Sequence, residues 1–281
     1  MATREEAPTE SLSDRVDAAL PRDVDITRWL AGGILVFLYF PMALVILMSF
    51  NANSLGFFPI TGITLEWYAD LAADTQFWNA LWLSVRLMVA SGLIATLLAL
   101  PTAYGFAGMS QRETGNWVGG LMGALLLPLF IPVIFIGISL LLYLSFIGID
   151  FGFVSVLIGH VIYVFPYTFL IIYAAVRSFP PAISEAARDL GATQSESFLF
   201  IVLPQIFPSV VSGFIFAMLL SLNEFIITFM ISGPDTLTMP LLIFDRLRRH
   251  LTPEMNAIGA MLLLSGLLVA FFAARFDPRL D

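Results

Sequence analysis

The chain has 281 residues, of which 59% are hydrophobic and only 12% are charged, and its formal net charge is −8. A soluble domain carries about a quarter of its residues as charged side chains, so this composition indicates an integral membrane protein. The acidic net charge argues against nucleic acid as a partner, since nucleic acids select basic surfaces.

Two residue types are missing, and each absence excludes some chemistry. The chain has no cysteine, which excludes disulfides and thiolate metal sites. It also has no lysine, because all thirteen basic residues are arginine. It therefore cannot hydrolyse ATP through a P-loop, whose lysine contacts the β- and γ-phosphates. The two histidines, His160 and His250, form no HExxH motif, and the sequence predicts no catalytic site, metal site or cofactor in this chain.

Apolar blocks long enough to cross a bilayer predict an all-α integral membrane protein with six transmembrane helices. The acidic stretch 1–28 lacks the basic start and the cleavage site of a signal peptide, and it is predicted to be a flexible cytoplasmic tail. The short stretch 277–281 is predicted to be the cytoplasmic C-terminus. The predicted spans are about 29–50, 80–106, 118–146, 154–177, 207–232 and 257–276.

Arginine positions predict the orientation in the cell membrane, because cytoplasmic loops carry an excess of basic residues. With the N-terminus inside, the inner segments hold nine arginines and the outer segments hold three. The nine are Arg4, Arg15, Arg22, Arg28, Arg112, Arg177, Arg188, Arg275 and Arg279, and the three are Arg246, Arg248 and Arg249. Both termini and the segment 178–206 are therefore predicted to be cytoplasmic.

Two shorter patterns each allow two interpretations. In 240–251, apolar residues repeat at helical spacing, which is typical of a helix at the outer membrane interface or of a docking surface for an external partner. Gly115, Gly119 and Gly123 lie four residues apart, which favours close helix packing, either within the chain or against another subunit.

A polar segment, 178–206, interrupts the hydrophobic chain between the fourth and fifth predicted spans. Pro181 is suited to begin a helix because proline lacks the N–H that the first turn leaves unused. Gly191 is where this helix would end, because glycine adopts the left-handed conformation without penalty. Thr193 and Glu196 have capping-box spacing, which predicts the start of a second helix. The segment is therefore predicted to be a helix–turn–helix at the cytoplasmic surface.

The same segment carries seven characteristic residues over twenty positions, namely Glu185, Ala186, Ala187, Gly191, Ile201, Leu203 and Pro204. In type and spacing they resemble the signature loop of permease subunits of binding-protein-dependent ABC importers. The resemblance implies a coupling helix that docks on a separate ATPase, with Glu185 facing a basic group and the two alanines allowing close approach. It also implies that Gly191 sets the turn and that the last three residues anchor the loop to the membrane part. Pro204 is expected to mark the turn into the fifth span.

Four shorter motifs resemble the spermidine/putrescine type of these permeases, and the likeness covers about 29–276. They are Ser49-Phe50-Asn51, Thr64-Leu65-Glu66-Trp67-Tyr68, Ser221-Leu222-Asn223-Glu224-Phe225 and Pro253-Glu254-Met255-Asn256-Ala257. The resemblance implies three kinds of partner: an ABC ATPase dimer that binds ATP–Mg, an extracytoplasmic solute-binding protein, and a second homologous permease in a heterodimer. A homodimer is the alternative assembly.

The implied cargo is a polyamine or a related small organic solute. An opine, an amino-acid-like compound or a phosphonate is the alternative cargo, because relatives of this type carry those compounds too. An ion-coupled secondary carrier, which would couple through intramembrane carboxylates and broken helices, is a remote alternative.

Three ionisable residues are predicted to lie inside the membrane, where such groups are costly and usually functional. Arg86, His160 and Glu224 lie at a similar depth, about 10 Å below the outer surface at 1.5 Å per residue. One interpretation is a structural ion pair between Arg86 and Glu224. In the other, Glu224 and the neighbouring Asn223 line the pathway and Glu224 meets a cationic cargo. His160 is expected to be a packed, hydrogen-bonded helix residue.

The first outer segment is rich in aromatic and acidic residues, which suit a flexible polycation. Glu66, Trp67 and Tyr68 are therefore candidates for contact with the cargo. Tryptophan and tyrosine are also typical of the aromatic belt at a membrane interface, and the sequence supports both interpretations.

Overall fold

Apolar helices make up most of the computed structural model, which describes residues 24–53, 58–112, 116–249 and 253–275. The helices are α1 (Val24–Met48), α2 (Glu66–Ala73), α3 (Thr75–Arg112), α4 (Asn116–Leu126), α5 (Val133–Phe146), α6 (Phe153–Ser178), α7 (Pro181–Asp189), α8 (Gln194–Ser197), α9 (Leu203–Asn223), α10 (Ile226–Ile231), α11 (Met239–Arg249) and α12 (Pro253–Arg275). Extended pairing in the described residues is limited to one antiparallel bridge, between Asn51 and Ile63. The fold is thus nearly all-helical. The predicted acidic tail up to residue 23 and the predicted segment 277–281 lie outside the described residues.

Several of these helices are long and apolar enough to cross a membrane. Within the described residues, four qualify singly and a fifth span results if one bent helix pair is counted as a single span. The four are Arg28–Met48, Thr75–Met109, Phe153–Ser178 and Gln194–Asn223. The last predicted span falls on α12, and the total of six spans stays a prediction.

The third predicted span, 118–146, is not one continuous helix. A short 3-10 turn, Leu127–Leu129, follows α4, and the chain bends by 98° before α5. Pro128 and Pro132 bracket the bend. Proline has no N–H to donate within a helix, and its ring clashes with the carbonyl four residues earlier. The two prolines therefore give the physical reason for the break.

The chain divides into two compact units. One contains Met1–Ala72 and Leu251–Asp281, and the other contains Ala73–His250. In the first unit, α1 contacts α12. In the second unit, α3, α6 and α9 pack against one another and form the centre.

Alanines on α3 make close packing in the second unit possible. Ala99 and Ala103 are fully buried, and they belong to the same apolar cluster as Phe169 and Ile172 of α6. Small residues let helix backbones approach closely. In a membrane, where the hydrophobic effect does not drive helices together, this close van der Waals packing stabilises their association. The centre of this unit is therefore a tightly packed three-helix contact.

The fifth predicted span, 207–232, ends earlier than expected. The helix α9 stops at Asn223, and Glu224 is extended, with φ −75° and ψ 122°. The chain then starts the separate helix α10 at Ile226. The sequence is apolar on both sides of this break, so composition alone gave no sign of it.

Candidate functional site

The helix–turn–helix of the polar segment forms as its local chemistry predicts. Pro181 is the first residue of α7, and Gly191 has a φ of +98°, a value that L side chains rarely adopt. At the start of α8, Thr193 accepts a hydrogen bond from the N–H of Glu196 at 3.2 Å. The Glu196 carboxylate accepts from the N–H of Thr193 at 2.8 Å, which completes the capping box.

The first helix of this element presents its signature residues to the surface. Within the chain, Glu185 and Ala186 are exposed and Ala187 is half-buried. The tip carries Leu190, whose side chain is 91% exposed. A hydrogen bond of 2.9 Å between the hydroxyls of Ser184 and Ser197 ties α7 to α8. The turn is therefore a fixed structure with a small-residue surface and an apolar tip.

No turn into the fifth span occurs at Pro204, and that prediction is wrong. The chain is helical without interruption from Gln194 to Asn223, and its segment Phe198–Val202 is a π-helix. A proline at position 204 cannot donate to the carbonyl of residue 200, and the wider π turn just before it accommodates that missing hydrogen bond. The proline is tolerated in the first turn of α9.

The residues that anchor the segment differ in part from the predicted ones. Val202 and Ile206 are the buried residues, with 2% and 4% of their surface exposed. Leu203 is partly buried against the same apolar cluster. Ile201 is half-buried, and Pro204 is exposed. The sequence pattern identified the anchoring stretch but not which of its faces is inward.

A buried polar network surrounds the break at Glu224. The Glu224 carboxylate accepts from the N–H groups of Ile227 at 2.8 Å and of Thr228 at 3.1 Å. It lies 3.5 Å from His160 Nε2. The Thr228 hydroxyl is 2.9 Å from the same Nε2. Glu224 therefore caps the first turn of α10 and joins it to α6.

The network continues to α9 and α3 through two serines. His160 Nδ1 is 2.8 Å from the Ser221 hydroxyl, and the Ser91 hydroxyl donates to the Ser221 oxygen at 2.8 Å. These side chains are almost fully buried, with 1% of His160 exposed. The packed, hydrogen-bonded histidine expected from the sequence matches this geometry. Nothing in the sequence pattern had singled out Ser91, Ser221 or Thr228 as its partners.

One assignment of hydrogens satisfies the whole network. With neutral His160 protonated on Nε2, Ser91 donates to Ser221, which donates to Nδ1, and Nε2–H donates to Thr228. The Thr228 hydroxyl then donates to Glu224 at 3.4 Å. Protonation on Nδ1 would leave the Ser221 hydroxyl without an acceptor in this network. Because buried polar groups are costly when unpaired, the geometry favours the neutral Nε2–H tautomer.

The predicted ion pair between Arg86 and Glu224 is not formed. Among the described residues, Arg86 has no carboxylate within 4 Å, and its guanidinium lies 5.6 Å above the ring of Phe153. Arg86 is exposed within the chain, whereas Glu224 is 6% exposed. The similar depth predicted from the sequence therefore does not bring these two side chains into contact. Asn223, the other pathway candidate, is exposed and donates from Nδ2 to the carbonyl of Leu219 at 2.8 Å.

Two of the short motifs in the first unit contact each other. The indole of Trp67 donates to the carbonyl of Asn51 at 2.9 Å, and the hydroxyls of Tyr68 and Ser49 are 2.6 Å apart. Trp67 and Tyr68 therefore pack against the end of α1. The indole N–H and the tyrosine hydroxyl both make hydrogen bonds there. Glu66 is exposed.

A charged contact holds the start of α3 to α11. Asp74 accepts hydrogen bonds from Arg246 and from the N–H groups of Gln76 and Phe77. Burial alone would raise the pKa of Asp74, but these hydrogen bonds and the charge of Arg246 hold the pKa below its ordinary value of 3.8. The amphipathic helix expected over 240–251 corresponds to α11, whose Leu242 is fully buried.

The glycine stripe makes no close packing contact within the part of the chain that is described. A Cβ at Gly119 or Gly123 would have no atom within 4 Å, and Gly115 lies outside the described residues. Packing of Gly119 and Gly123 within this chain is therefore not observed.

Comparison with known proteins gives a consistent assignment. Residues 99–281 match the family described as binding-protein-dependent transport system inner membrane component. The putrescine transport system permease protein PotI of Escherichia coli strain K12 is 31% identical over 246 residues, which cover 84% of this chain and 85% of that protein. The spermidine/putrescine transport system permease protein PotC of the same strain is 30% identical over 249 residues, covering 87% and 92%.

A solved structure shows the same fold. The crystal structure of a bacterial alginate ABC transporter in complex with alginate pentasaccharide-bound periplasmic protein matches with a TM-score of 0.72 at 20% identity. The match covers 95% of this chain and 98% of that one. The family match alone spans more than half of the sequence and includes the helix–turn–helix and every residue of the buried network except Ser91. The chain therefore belongs to the family of binding-protein-dependent transport system inner membrane components, the permeases of ABC importers.

Proposed function

We propose that this chain is the transmembrane permease subunit of an ATP-driven importer that takes up a small aliphatic amine delivered by an extracytoplasmic binding protein. In this proposal the helix–turn–helix Pro181–Ser197 is cytoplasmic and is the element that contacts the ATPase. The N- and C-termini lie on the same side, as the distribution of arginines predicts.

The exposed turn is the observation that carries the proposal. Glu185 and Ala186 lie on an exposed helix, and Leu190 projects at its tip. At 91% exposure, Leu190 makes little contact within the chain, so its apolar surface is available to pack against a partner. One continuous helix, from Gln194 to Asn223, joins this turn to the membrane part. A displacement of the turn would therefore act on the span directly and be transmitted along it towards the break at Glu224.

The missing lysine implies that a different subunit hydrolyses ATP. ATP–Mg is bound by a separate ATPase dimer, because this chain has no P-loop lysine. We propose no cofactor in the chain itself. One chain offers one coupling turn, and an ATPase dimer offers two docking grooves, so a second permease completes the assembly. A related permease in a heterodimer is the proposed partner, and a second copy of this chain is the alternative.

The cargo is proposed from similarity. The relatives PotI and PotC are named for putrescine and for spermidine/putrescine transport. At about 30% identity over most of the chain, a shared amine cargo is the simplest proposal. Polyamines carry no acidic group, so their recognition would depend on carboxylates and aromatic faces.

Reconstitution of the complete importer in proteoliposomes tests the proposal. The assembly of this chain, its second permease, the ATPase and the binding protein should take up labelled putrescine or spermidine only when ATP is present. Omission of the second permease should abolish uptake, and persistent uptake would show a homodimer. Uptake that proceeds without the ATPase and follows a proton or sodium gradient would refute the proposal in favour of a secondary carrier.

A further inference from the structure

A cavity of about 460 Å³ lies between the first three turns of α3 and the loop 232–238 that follows α10. Its polar lining consists of Gln76, Asn79 and Arg86 from α3 and Asp235 from the loop, with the indole of Trp82 beside them. The volume falls in the range of about 300–1,000 Å³ that is usual for small-molecule sites. In the proposed orientation the cavity lies at the outer end of α3, where a cargo would enter.

The loop that carries Asp235 is held firmly in place. The N–H of Met239 donates to the Ser84 hydroxyl of α3 at 2.8 Å, which fixes the end of the loop. At its start, a Cβ on Gly233 would collide with the carbonyl oxygen of Phe151, so the backbones are in direct contact there. Thr236 is 3% exposed. Because both ends of the loop are fixed, Asp235 is presented to the cavity by an ordered backbone.

Both charged groups of the cavity lack a charged partner in the described part of the chain. Asp235 is exposed and has no hydrogen bond or ion pair there. The contact of Arg86 is with the ring of Phe153, at 5.6 Å. A guanidinium on a membrane helix is costly unless water or an anion meets it. The lining of the cavity therefore includes one carboxylate and one guanidinium, neither of which has a charged partner among the described residues, and two amides.

This set of groups suits a ligand with charges of both signs better than one with two positive charges. A diamine would place one ammonium group on Asp235 and would bring the other towards the like charge of Arg86. A ligand with an ammonium and an acidic group would satisfy both residues. Arginine binds a carboxylate or a phosphonate through two parallel hydrogen bonds, which are among the stronger polar contacts in proteins.

We propose that this cavity binds a small amine that also carries an acidic group, with the ammonium on Asp235 and the acid on Arg86. The inference rests on the proposed function, and it specifies the cargo class of the same permease. The amides of Gln76 and Asn79 supply further donors and acceptors, and the exposed ring of Trp82 covers the aliphatic chain.

Uptake by the complete reconstituted importer tests the inference with probes of similar length. Putrescine has amines at both ends of a four-carbon chain, γ-aminobutyrate has a carboxylate at one end, and 3-aminopropylphosphonate has a phosphonate. We expect ATP-dependent uptake of at least one zwitterion that exceeds putrescine uptake by on the order of tenfold, the minimum effect of one charged hydrogen-bond pair. If the importer takes up putrescine but neither γ-aminobutyrate nor 3-aminopropylphosphonate, the inference is overturned and the proposed function stays intact. Failure of all three probes would overturn the inference, and failure of spermidine as well would also overturn the proposed function.

Substitutions then connect the preference to the cavity. Arg86→Gln should lower zwitterion uptake by about tenfold or more and leave putrescine uptake equal or higher, and Arg86→Lys should recover part of the loss. Asp235→Asn should reduce uptake of every amine. Arg248→Gln is the matched control, because that exposed arginine also lies 5.6 Å above a ring, that of Phe244, but does not line this cavity. An equal effect of Arg86→Gln on both cargo classes, at unchanged protein abundance, would contradict the assignment.

Discussion

Replacing Glu224 by glutamine removes one acceptor from the buried network and changes the size of the side chain very little. The carboxylate uses separate oxygens for the N–H groups of Ile227, at 2.8 Å, and Thr228, at 3.1 Å. The amide has a single oxygen, so one of these donors would face an NH₂ group. A buried donor without a partner costs about 1–3 kcal/mol. We therefore expect Glu224→Gln to lower the free energy of unfolding by about 2 kcal/mol.

Thermal unfolding of the purified chain in detergent measures this loss. For a chain of this size, 2 kcal/mol lowers Tm by about 4–8 °C. Glu196→Gln is the control, because Glu196 also caps a helix through a neighbouring N–H but is exposed. Water can solvate the donor that this change frees, so Glu196→Gln should lower Tm by clearly less than Glu224→Gln does. Equal shifts for the two variants would refute the reasoning that burial makes the Glu224 contacts expensive to lose.

Two further predictions concern charged contacts. In a double-mutant cycle on the free energy of unfolding, His160→Leu and Glu224→Gln should show a coupling energy of about 0.5–3 kcal/mol. The effects of Arg86→Gln and Glu224→Gln should instead add to within about 0.5 kcal/mol. The opposite pattern would support the Arg86–Glu224 ion pair considered from the sequence. Because the pKa of Asp74 is lowered from 3.8 in the folded chain, its contribution is complete above pH 3.8 and is lost as the pH falls through the folded-state pKa. The variant Asp74→Asn keeps a capping oxygen but loses the charge that faces Arg246. The difference in Tm between wild type and this variant should therefore shrink below pH 3.8. A difference that does not depend on pH would contradict this prediction.

The helix–turn–helix could be predicted because its determinants are local. Pro181 begins the helix through its missing donor, Gly191 turns through a positive φ, and Thr193 and Glu196 cap the next helix through adjacent backbone groups. Each of these effects acts within a few residues. The bend of the third predicted span also had a local signal in its two prolines, which the length of the apolar block obscured.

The partner of Glu224 could not be predicted because depth in a membrane says nothing about the face of a helix. Arg86 and Ser91 lie on the same helix, and five residues at 100° each place them about 140° apart. Ser91 contacts the buried network through Ser221, whereas Arg86 is on the exposed side. The break after Asn223 was missed for a different reason. Glu224 caps the next helix by accepting from the N–H groups of Ile227 and Thr228, and the hydropathy of the apolar block does not report such a cap.

The central claim is that this permease engages its ATPase through the turn at Gly191. Gly191→Val would place a β-branched side chain at a φ of +98°, at a cost of about 1–2 kcal/mol, and would displace the exposed tip. Gly148→Val is the matched control, because Gly148 also has a positive φ, +74°, and its Cβ position is equally free of neighbours. The most direct measurement is the amount of ATPase that co-purifies with each variant from membranes containing equal permease. We predict that Gly191→Val loses the ATPase while Gly148→Val retains it; full retention by Gly191→Val, or equal loss in both, would contradict the account.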